Sequence, residues 1–407
     1  MTAEDGVEYP NGSRRAGAVQ ALGLLLTIQI PIVPLMVLVP NLPLLFRHFA
    51  ATPGKEFLVP MVITLPSLGI VLLGPLAGVM ADRWGRRRLL LWALALFAVA
   101  GMAPMVLDDL RWILCAQAIL GVAEAVIITN GNTLLGDYFP PEQRNRWLGV
   151  QSIVGPFSAA VFTLMAGFLG TVSWHAPFAV HGVAFGLWAW LLLTTWEPAR
   201  VPPPVSVNGP GVTASGFPWR RMGPVFAITT LTAIVFYVPT IHFGLIYDRL
   251  GAHSPALISA LSTAATLGSV VSGYYFRGQN REPLKHLVLI YSSFGLGLLG
   301  LGVSSTYWMG LVFGFVINFG FGLTLPALIA LALQRLPESH RGRGMGLWMS
   351  SFFCAQFLCP PAFALLMHAV GGLVPAIDLI GAFCVLVAGV SWLHGRRSAE
   401  MQAASTN

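Results

Sequence analysis

The stretch GPLAGVMADRWGRRR, residues 74–88, joins the end of an apolar segment directly to one aspartate and four arginines. The segment 57–81 contains no Asp, Glu, Lys, Arg or His. A helix of that length can cross the roughly 30 Å hydrocarbon core of a bilayer. Arginines at the end of such a helix are typical of the cytoplasmic membrane surface. The stretch therefore predicts a membrane-spanning helix followed by a short cytoplasmic turn.

The composition of the whole chain also indicates a membrane protein. Of its 407 residues 56% are hydrophobic and 10% are charged, whereas soluble domains carry about 25% charged residues. The first apolar run follows a polar tail and has no small-residue cleavage site, so we expect a retained span and not a signal peptide. The four cysteines all lie in apolar runs, which predicts neither a disulfide framework nor a metal site.

Hydropathy and the positions of Pro, Gly and charged residues predict an all-α polytopic membrane protein with twelve transmembrane helices. The predicted spans are 19–46, 58–81, 89–107, 112–136, 147–170, 177–196, 223–247, 255–276, 286–304, 307–334, 341–367 and 374–394. Because the first contains Pro31, Pro34, Pro40 and Pro43, we expect it to be kinked or to end early.

A tract rich in Pro and Gly, residues 197–222, divides the predicted helices into two groups of six. The resulting organisation is a cytoplasmic tail at 1–16, a six-helix bundle at 17–196, a cytoplasmic linker at 197–222, a second six-helix bundle at 223–394 and a cytoplasmic tail at 395–407. We expect the two bundles to be pseudo-symmetric.

The distribution of Lys and Arg predicts the orientation of the chain. In the twelve-helix scheme 19 of the 23 Lys and Arg residues lie on the side of the N-terminus, and Arg47, Lys55, Arg111 and Arg249 lie on the other. Cytoplasmic loops retain basic residues, so we expect both termini in the cytoplasm of a multi-pass protein of a bacterial inner membrane. Topology and contact with the lipid bilayer thus explain the net charge of +7, and nucleic-acid binding is disfavoured.

An internal repeat supports two related halves. FPPEQRNRWLG, residues 139–149, and LPESHRGRGMG, residues 336–346, follow the fourth and tenth predicted spans. Four identities occur at a constant shift of 197, and they are Pro140 with Pro337, Arg144 with Arg341, Arg146 with Arg343 and Gly149 with Gly346. Two parallel six-helix halves are typical of rocking transporters that have a central site.

With these features the chain resembles the major facilitator superfamily over essentially its whole length. The motif G-x-x-x-D-R-x-G-R-R is matched by Gly78, Asp82, Arg83, Gly85, Arg86 and Arg87, and the loop with Asp137, Glu142 and Arg144 is also similar. The resemblance implies alternating access and a cytoplasmic gate. Asp82 is then expected to meet the N-terminus of the eleventh helix near Arg341, and Arg86 to pair with Asp137.

Glu124 is the candidate for proton coupling, because no other carboxyl group lies so deep in a predicted span. An ionised carboxylate there costs a few kcal/mol, so it should pair, be hydrated or remain protonated. The alternative is a structural glutamate that is hydrogen-bonded to another helix. Many superfamily members have an arginine at the position of Gln117, so this chain lacks a cation that could have paired with Glu124.

Several polar side chains in the predicted spans are candidates for a cargo cavity, although interhelical hydrogen bonding is the alternative for each. They are Gln117, Gln29, Asn130, Asn318, Gln356 and Tyr237. In the fifth span Gly155 and Pro156 form a candidate hinge, and GPFSAA is similar to the G-P-x-x-G-G signature of proton-coupled drug exporters, with Ala159 and Ala160 in place of two glycines.

The sequence contains neither a Walker loop nor a recognisable catalytic constellation, so we expect no enzyme activity and no cofactor. The leading hypothesis is a monomeric secondary active transporter that exports a small organic or drug-like molecule, with the proton gradient as its energy source. The alternative is proton-coupled or facilitated uptake of a sugar, organic acid or amino acid. A membrane enzyme or receptor on the same scaffold has no positive feature in its favour.

Overall fold

A computed structural model describes residues 16–198, 217–277, 283–337 and 340–405. Helices account for nearly all of these residues, and no strand occurs among them. The α-helices are Ala18–Gln29, Val33–Leu38, Leu42–His48, Lys55–Trp84, Arg86–Met102, Leu110–Tyr138, Pro141–Gly170, Val183–Thr194, Trp219–Arg249, Pro255–Ala265, Leu267–Arg277, Pro283–Val303, Tyr307–Arg335, Arg341–Val370 and Leu373–Ser405. Short 3₁₀ segments occur at Ile30–Ile32, Ala103–Met105 and Ala176–Gly182.

Within the described residues, twelve segments are long and apolar enough to cross a bilayer, which confirms the predicted all-α, twelve-span architecture. In chain order these spans are Ala18–Leu38, Lys55–Gly74, Arg86–Met105, Leu110–Tyr138, Glu142–Gly170, Ala176–Thr194, Trp219–Arg249, Pro255–Phe276, Lys285–Val303, Tyr307–Arg335, Gly344–Val370 and Leu373–Leu393.

The first span is interrupted where its prolines occur. The α-helix ends at Gln29, a 3₁₀ turn with Pro31 follows, and the helix resumes at Val33. A further short helix, Leu42–His48, begins after Asn41. Proline lacks the N–H that a continuous α-helix needs, so the interruptions follow from the sequence.

The chain forms two compact units whose boundaries cut through several spans. The first unit comprises Met1–Val37, Leu65–Met165 and His175–Phe217, and the second comprises Leu38–Thr64, Ala166–Trp174 and Pro218–Asn407. Segments of the first, second and fifth spans on the side opposite the stretch 74–88 thus belong to the second unit.

Close helix contacts in the first unit occur at glycines. A Cβ at Gly121 of the fourth span would overlap the Pro66 carbonyl of the second span, and a Cβ at Gly131 would lie 2.7 Å from Ile28 of the first. A Cβ at Gly101 would likewise overlap the His181 ring. Small residues allow helix backbones to approach closely in membranes. These contacts fix the face that the fourth span presents to its neighbours.

The second unit uses the same kind of contact. A Cβ at Gly244 of the seventh span would overlap the Val39 carbonyl, and Asn41 donates a hydrogen bond of 3.1 Å to the Ala166 carbonyl. Aromatic rings of the seventh, tenth and eleventh spans also pack together, with Phe236 4.4 Å from Phe321 between ring centroids. The seventh span therefore contacts the end of the first span as well as its own bundle.

Candidate functional site

Glu124 lies at the middle of the helix Leu110–Tyr138, fourteen residues from either end, or roughly 21 Å along the axis. Its side chain is 3% exposed. Among the described residues none donates a hydrogen bond to its carboxyl group or forms an ion pair with it. A buried carboxyl group without a partner is far more stable as the neutral acid than as the anion. The structure thus places one unpaired acid in the centre of the first unit.

The helices around Glu124 supply no counter-charge. The segments 18–46, 57–81, 89–107 and 147–170 contain no Asp, Glu, Lys, Arg or His. The sixth span contributes His181, whose ring packs 5.5 Å from Phe97 and whose Nδ1 lies 3.0 Å from the Phe178 carbonyl oxygen. That histidine lies against Gly101 of the third span. Among the described residues of this unit, Glu124 is therefore the acidic group that lies deep within a span, far from both helix ends.

The two glutamines of the first unit that sequence analysis selected lie on different sides of Glu124. Gln117 lies two turns before Glu124 on the same helix face, is fully buried, and neither atom of its amide has a hydrogen-bond partner. Gln29 is half-buried in the first span, and its amide lies beside Gly155, where a Cβ would be 3.2 Å from Gln29 Oε1. The structure thus brings Gln29 to the candidate hinge at Gly155 and Pro156.

The other candidate cavity residues are engaged in different ways. Asn130 donates a hydrogen bond of 2.9 Å to the Val126 carbonyl, and Asn318 donates one of 2.9 Å to the Gly314 carbonyl, so both amides bond within their own helix. Tyr237 is buried among rings of the second unit, 5.4 Å from Phe352 between centroids. Gln356, on the eleventh span of that unit, is 8% exposed.

The arginine hairpin, residues 78–88, forms a network in the first unit. Arg86 Nη1 donates to both carboxylate oxygens of Asp137, at 2.6 and 2.7 Å, and links the third span to the end of the fourth. Both side chains are partly exposed. A charge-assisted pair of this kind fixes the geometry more firmly than a neutral hydrogen bond.

Glu197 completes the hairpin, and sequence analysis did not identify it. Its carboxylate accepts hydrogen bonds of 3.1 Å from the backbone N–H groups of Arg87 and Arg88, so it caps the helix that begins at Arg86. Gly85 has a φ of +94°, and a Cβ there would lie 2.9 Å from the Glu197 carboxyl carbon. The glycine is thus required both by its backbone conformation and by the approach of Glu197.

Arg87 binds the end of the sixth span. Its guanidinium donates to Thr195 Oγ1 at 3.0 Å and to the Leu192 carbonyl at 2.9 Å. At the residue after Thr195, the Trp196 N–H donates a hydrogen bond of 3.0 Å to the Tyr138 hydroxyl, and the two rings stack. The ends of the third, fourth and sixth spans are therefore held together at the arginine hairpin.

The remaining predicted gate residues are less informative. A Cβ at Gly78 would lie 4.0 Å from Thr129, and the Arg144 guanidinium lies beside Gly136. Arg83 is exposed. The side chains of Asp82 and Arg341 lie outside the described part of the structure, so the contact of Asp82 with the eleventh helix stays a prediction.

A second charged cluster lies in the second unit, at the ends of the helices Leu42–His48 and Trp219–Arg249. Arg47 Nη2 donates to Asp248 Oδ1 at 2.5 Å, and His253 Nδ1 lies 3.1 Å from the same oxygen. The helices Leu42–His48 and Trp219–Arg249 contact each other here. Sequence analysis missed this cluster because 201 residues separate Arg47 from Asp248, and loop charges carry no pattern that pairs them.

Within the described ranges no group of three His, Cys, Asp or Glu residues could hold a metal ion. The described side chains of the first unit present a buried acid at Glu124 and charged contacts at helix ends.

Comparison with known proteins gives a consistent result. The model of the Major Facilitator Superfamily matches residues 30–292 and 283–406. The tetracycline resistance protein, class C, of Escherichia coli is 25% identical, over 79% of this chain and 82% of its own length. The quinolone resistance protein NorA of Staphylococcus aureus (strain MRSA252) is 24% identical, over 71% of this chain and 75% of its own.

Solved structures agree on the fold. The crystal structure of a bacterial homolog of the human lysosomal transporter Spinster, inward-facing and unoccupied, superposes with a TM-score of 0.72 at 16% identity. The match covers 94% of this chain and 98% of that one. Since the family model spans nearly all of the chain, this protein belongs to the Major Facilitator Superfamily and is a membrane transporter, not an enzyme.

Proposed function

We propose that the protein is a proton-coupled exporter of a small, drug-like organic molecule. The observation that carries the proposal is the buried, unpaired carboxyl group of Glu124. The names of the tetracycline and quinolone resistance relatives support export of drug-like cargo, and both relatives match most of this chain.

In the proposed cycle Glu124 is protonated from the outside when the cavity opens outward. The neutral acid is stable between apolar helices, so the protonated protein can change conformation without moving a bare charge through the membrane. The proton leaves on the cytoplasmic side, and cargo then binds for export. Protons and cargo therefore move in opposite directions through the same carrier.

The proposed orientation places the arginine hairpin and both termini in the cytoplasm of a bacterial inner membrane, with the chain acting as a monomer among the lipids. The 19 to 4 distribution of Lys and Arg supports this orientation. A fluorescent protein fused to the C-terminus should fluoresce in bacterial cells, and a periplasmic alkaline phosphatase fused there should be inactive. The opposite pair of results would invert the topology.

Transport in everted membrane vesicles tests the function, because their lumen corresponds to the outside of the cell. With tetracycline and a quinolone as probes, an acidic lumen should drive accumulation in the lumen. Vesicles from cells that express Asp82→Asn at equal abundance should accumulate less, since the gate would be impaired. Accumulation that requires an alkaline lumen would instead support proton-coupled uptake. Accumulation that does not depend on the proton gradient would contradict proton coupling.

A further inference from the structure

Gln117 and Gln29 differ from Asn130, another intramembrane amide of the first unit. Asn130 bonds to its own helix, whereas Gln117 is fully buried with both amide atoms unpartnered. Gln29 forms no hydrogen bond with any described residue, and its amide faces Gly155. An unpaired buried amide costs about 1–3 kcal/mol, so such a group needs a compensating partner.

The two amides flank Glu124 along the membrane normal. Gln117 precedes Glu124 by seven residues in the fourth span, or about 10 Å, on the side opposite the arginine hairpin. In the other direction Gly131 follows Glu124 by seven residues and contacts Ile28, the neighbour of Gln29. Gln29 thus lies on the side of Glu124 that is nearer to the arginine hairpin.

The exposure of the two amides is unequal. Gln117 is fully buried, whereas Gln29 is half-buried. An amide offers both a donor and an acceptor, so either side chain can hold a water molecule in place. A proton can then move through the water while the amide stays neutral. Gln117 is therefore shielded from bulk water more completely than Gln29.

We propose that Gln117 and Gln29 are positioning residues that hold the water through which Glu124 exchanges its proton, one on each side of the membrane. The proposal rests on the proposed function and adds the two access routes. A hydronium on the side of Gln117 gives its proton to the first of a chain of waters anchored there, the last water of that chain gives a proton to the Glu124 carboxylate, and the chain is regenerated. Release runs in the same way past Gln29.

On the side of Gln117 the charged surroundings do not offer another route, and on the side of Gln29 the carboxylate of Asp137 is paired with Arg86. The first, second, third and fifth spans present no titratable side chain within 18–46, 57–81, 89–107 and 147–170. His181 of the sixth span packs against Gly101 and Phe97 of the third. The fourth span itself carries Arg111 at its beginning, on the surface. Between that surface and Glu124, Gln117 is the buried polar side chain on the same face.

Everted vesicles with the full-length protein separate the two routes, because the lumen and bath pH can be varied independently. The probe is tetracycline, replaced by a quinolone if the parent does not exchange tetracycline. Gln117→Leu should lower the response of probe accumulation to lumen acidification about tenfold, because it removes the hydrogen bonds that hold the water. It should lower probe–probe exchange without a gradient much less than it lowers this response. Gln29→Leu should weaken the response to bath pH instead, with the lumen response retained.

Two further variants guard against simple misfolding. Gln117→Asn retains an amide and should recover most of the lumen response. Thr133→Val removes a hydroxyl that bonds to Thr129 in its own helix, and it should behave like the parent. The proposal would be overturned if Gln117→Leu responded to lumen acidification as strongly as the parent does. It would also be overturned if Gln117→Leu lost probe–probe exchange and gradient-driven transport to the same extent. A parent that ignores lumen pH would refute the proposed function itself.

Discussion

The contact between Gly121 and the second span offers a direct test of how the fourth span is held beside Glu124. Gly121 lies three residues before Glu124 on the same helix face, and its backbone touches the backbone of Pro66 and Gly69. A Cβ at Gly121 would lie 2.8 Å from Pro66 Cα and 3.0 Å from Pro66 C. Both partners are backbone atoms, so neither can rotate out of the way.

The expected cost of Gly121→Ala follows from these distances. Nonbonded carbon atoms are most favourable at roughly 3.5–4.0 Å, so the two helices would have to separate by about 1 Å. Overpacking of this kind costs about 1–3 kcal/mol. For a chain of this size we expect the midpoint of thermal unfolding to fall by about 2–6 °C. The displacement would also shift Glu124, so gradient-driven transport should fall.

Gly186→Ala is the matched control, because a Cβ at Gly186 meets nothing within 4 Å in the same unit. Alanine inside a helix is favoured over glycine by about 0.5–1 kcal/mol, so this variant should unfold at the parent's temperature or slightly above it. The assay is thermal unfolding of the purified protein in one detergent, followed by transport in vesicles. Equal unfolding temperatures for Gly121→Ala and Gly186→Ala would refute the close contact.

Three other changes test the charged networks. Gly85→Ala should destabilise the arginine hairpin by about 1–2 kcal/mol, because the φ of Gly85 is positive and Glu197 occupies the space of a Cβ. An unfolding temperature of Gly85→Ala equal to the parent's would contradict this. Glu197→Gln should lower unfolding stability by about 1 kcal/mol through a weakened helix cap, to be measured by thermal unfolding, where no change would argue against the cap. Arg47→Asp places two carboxylates side by side, so it should increase the labelling of cysteines placed near Arg47 on the same side of the membrane. The double variant Arg47→Asp with Asp248→Arg should restore the parent's labelling. If the double variant did not restore the parent's labelling, the ion pair would not be what holds these helix ends together.

Much of the fold follows from local properties of the sequence. The spans are visible as long apolar runs, and the interruption of the first span follows from Pro31 and Pro34, which lack a backbone donor. Glu124 stands out because a carboxyl group between apolar helices is costly wherever the neighbouring helices lie. These features depend on the chemistry of one segment at a time.

Contacts between distant segments were not predictable in the same way. Glu197 caps a helix that begins more than a hundred residues earlier, and nothing in the sequence around either segment specifies that approach. Arg47 and Asp248 likewise meet only through the path of the chain. The amides of Asn130 and Asn318 bond to their own helices because of side-chain rotamers, which hydropathy and spacing do not determine.

The central claim is that Glu124 couples cargo movement to protons. Purified parent and Glu124→Gln proteins in proteoliposomes, with a tetracycline or quinolone probe, test it by comparing transport driven by a pH gradient with probe–probe exchange at equal pH. The account predicts that Glu124→Gln loses gradient-driven transport and keeps exchange, because the amide is isosteric and cannot take up a proton. Gradient-driven transport by Glu124→Gln equal to the parent's would contradict the account.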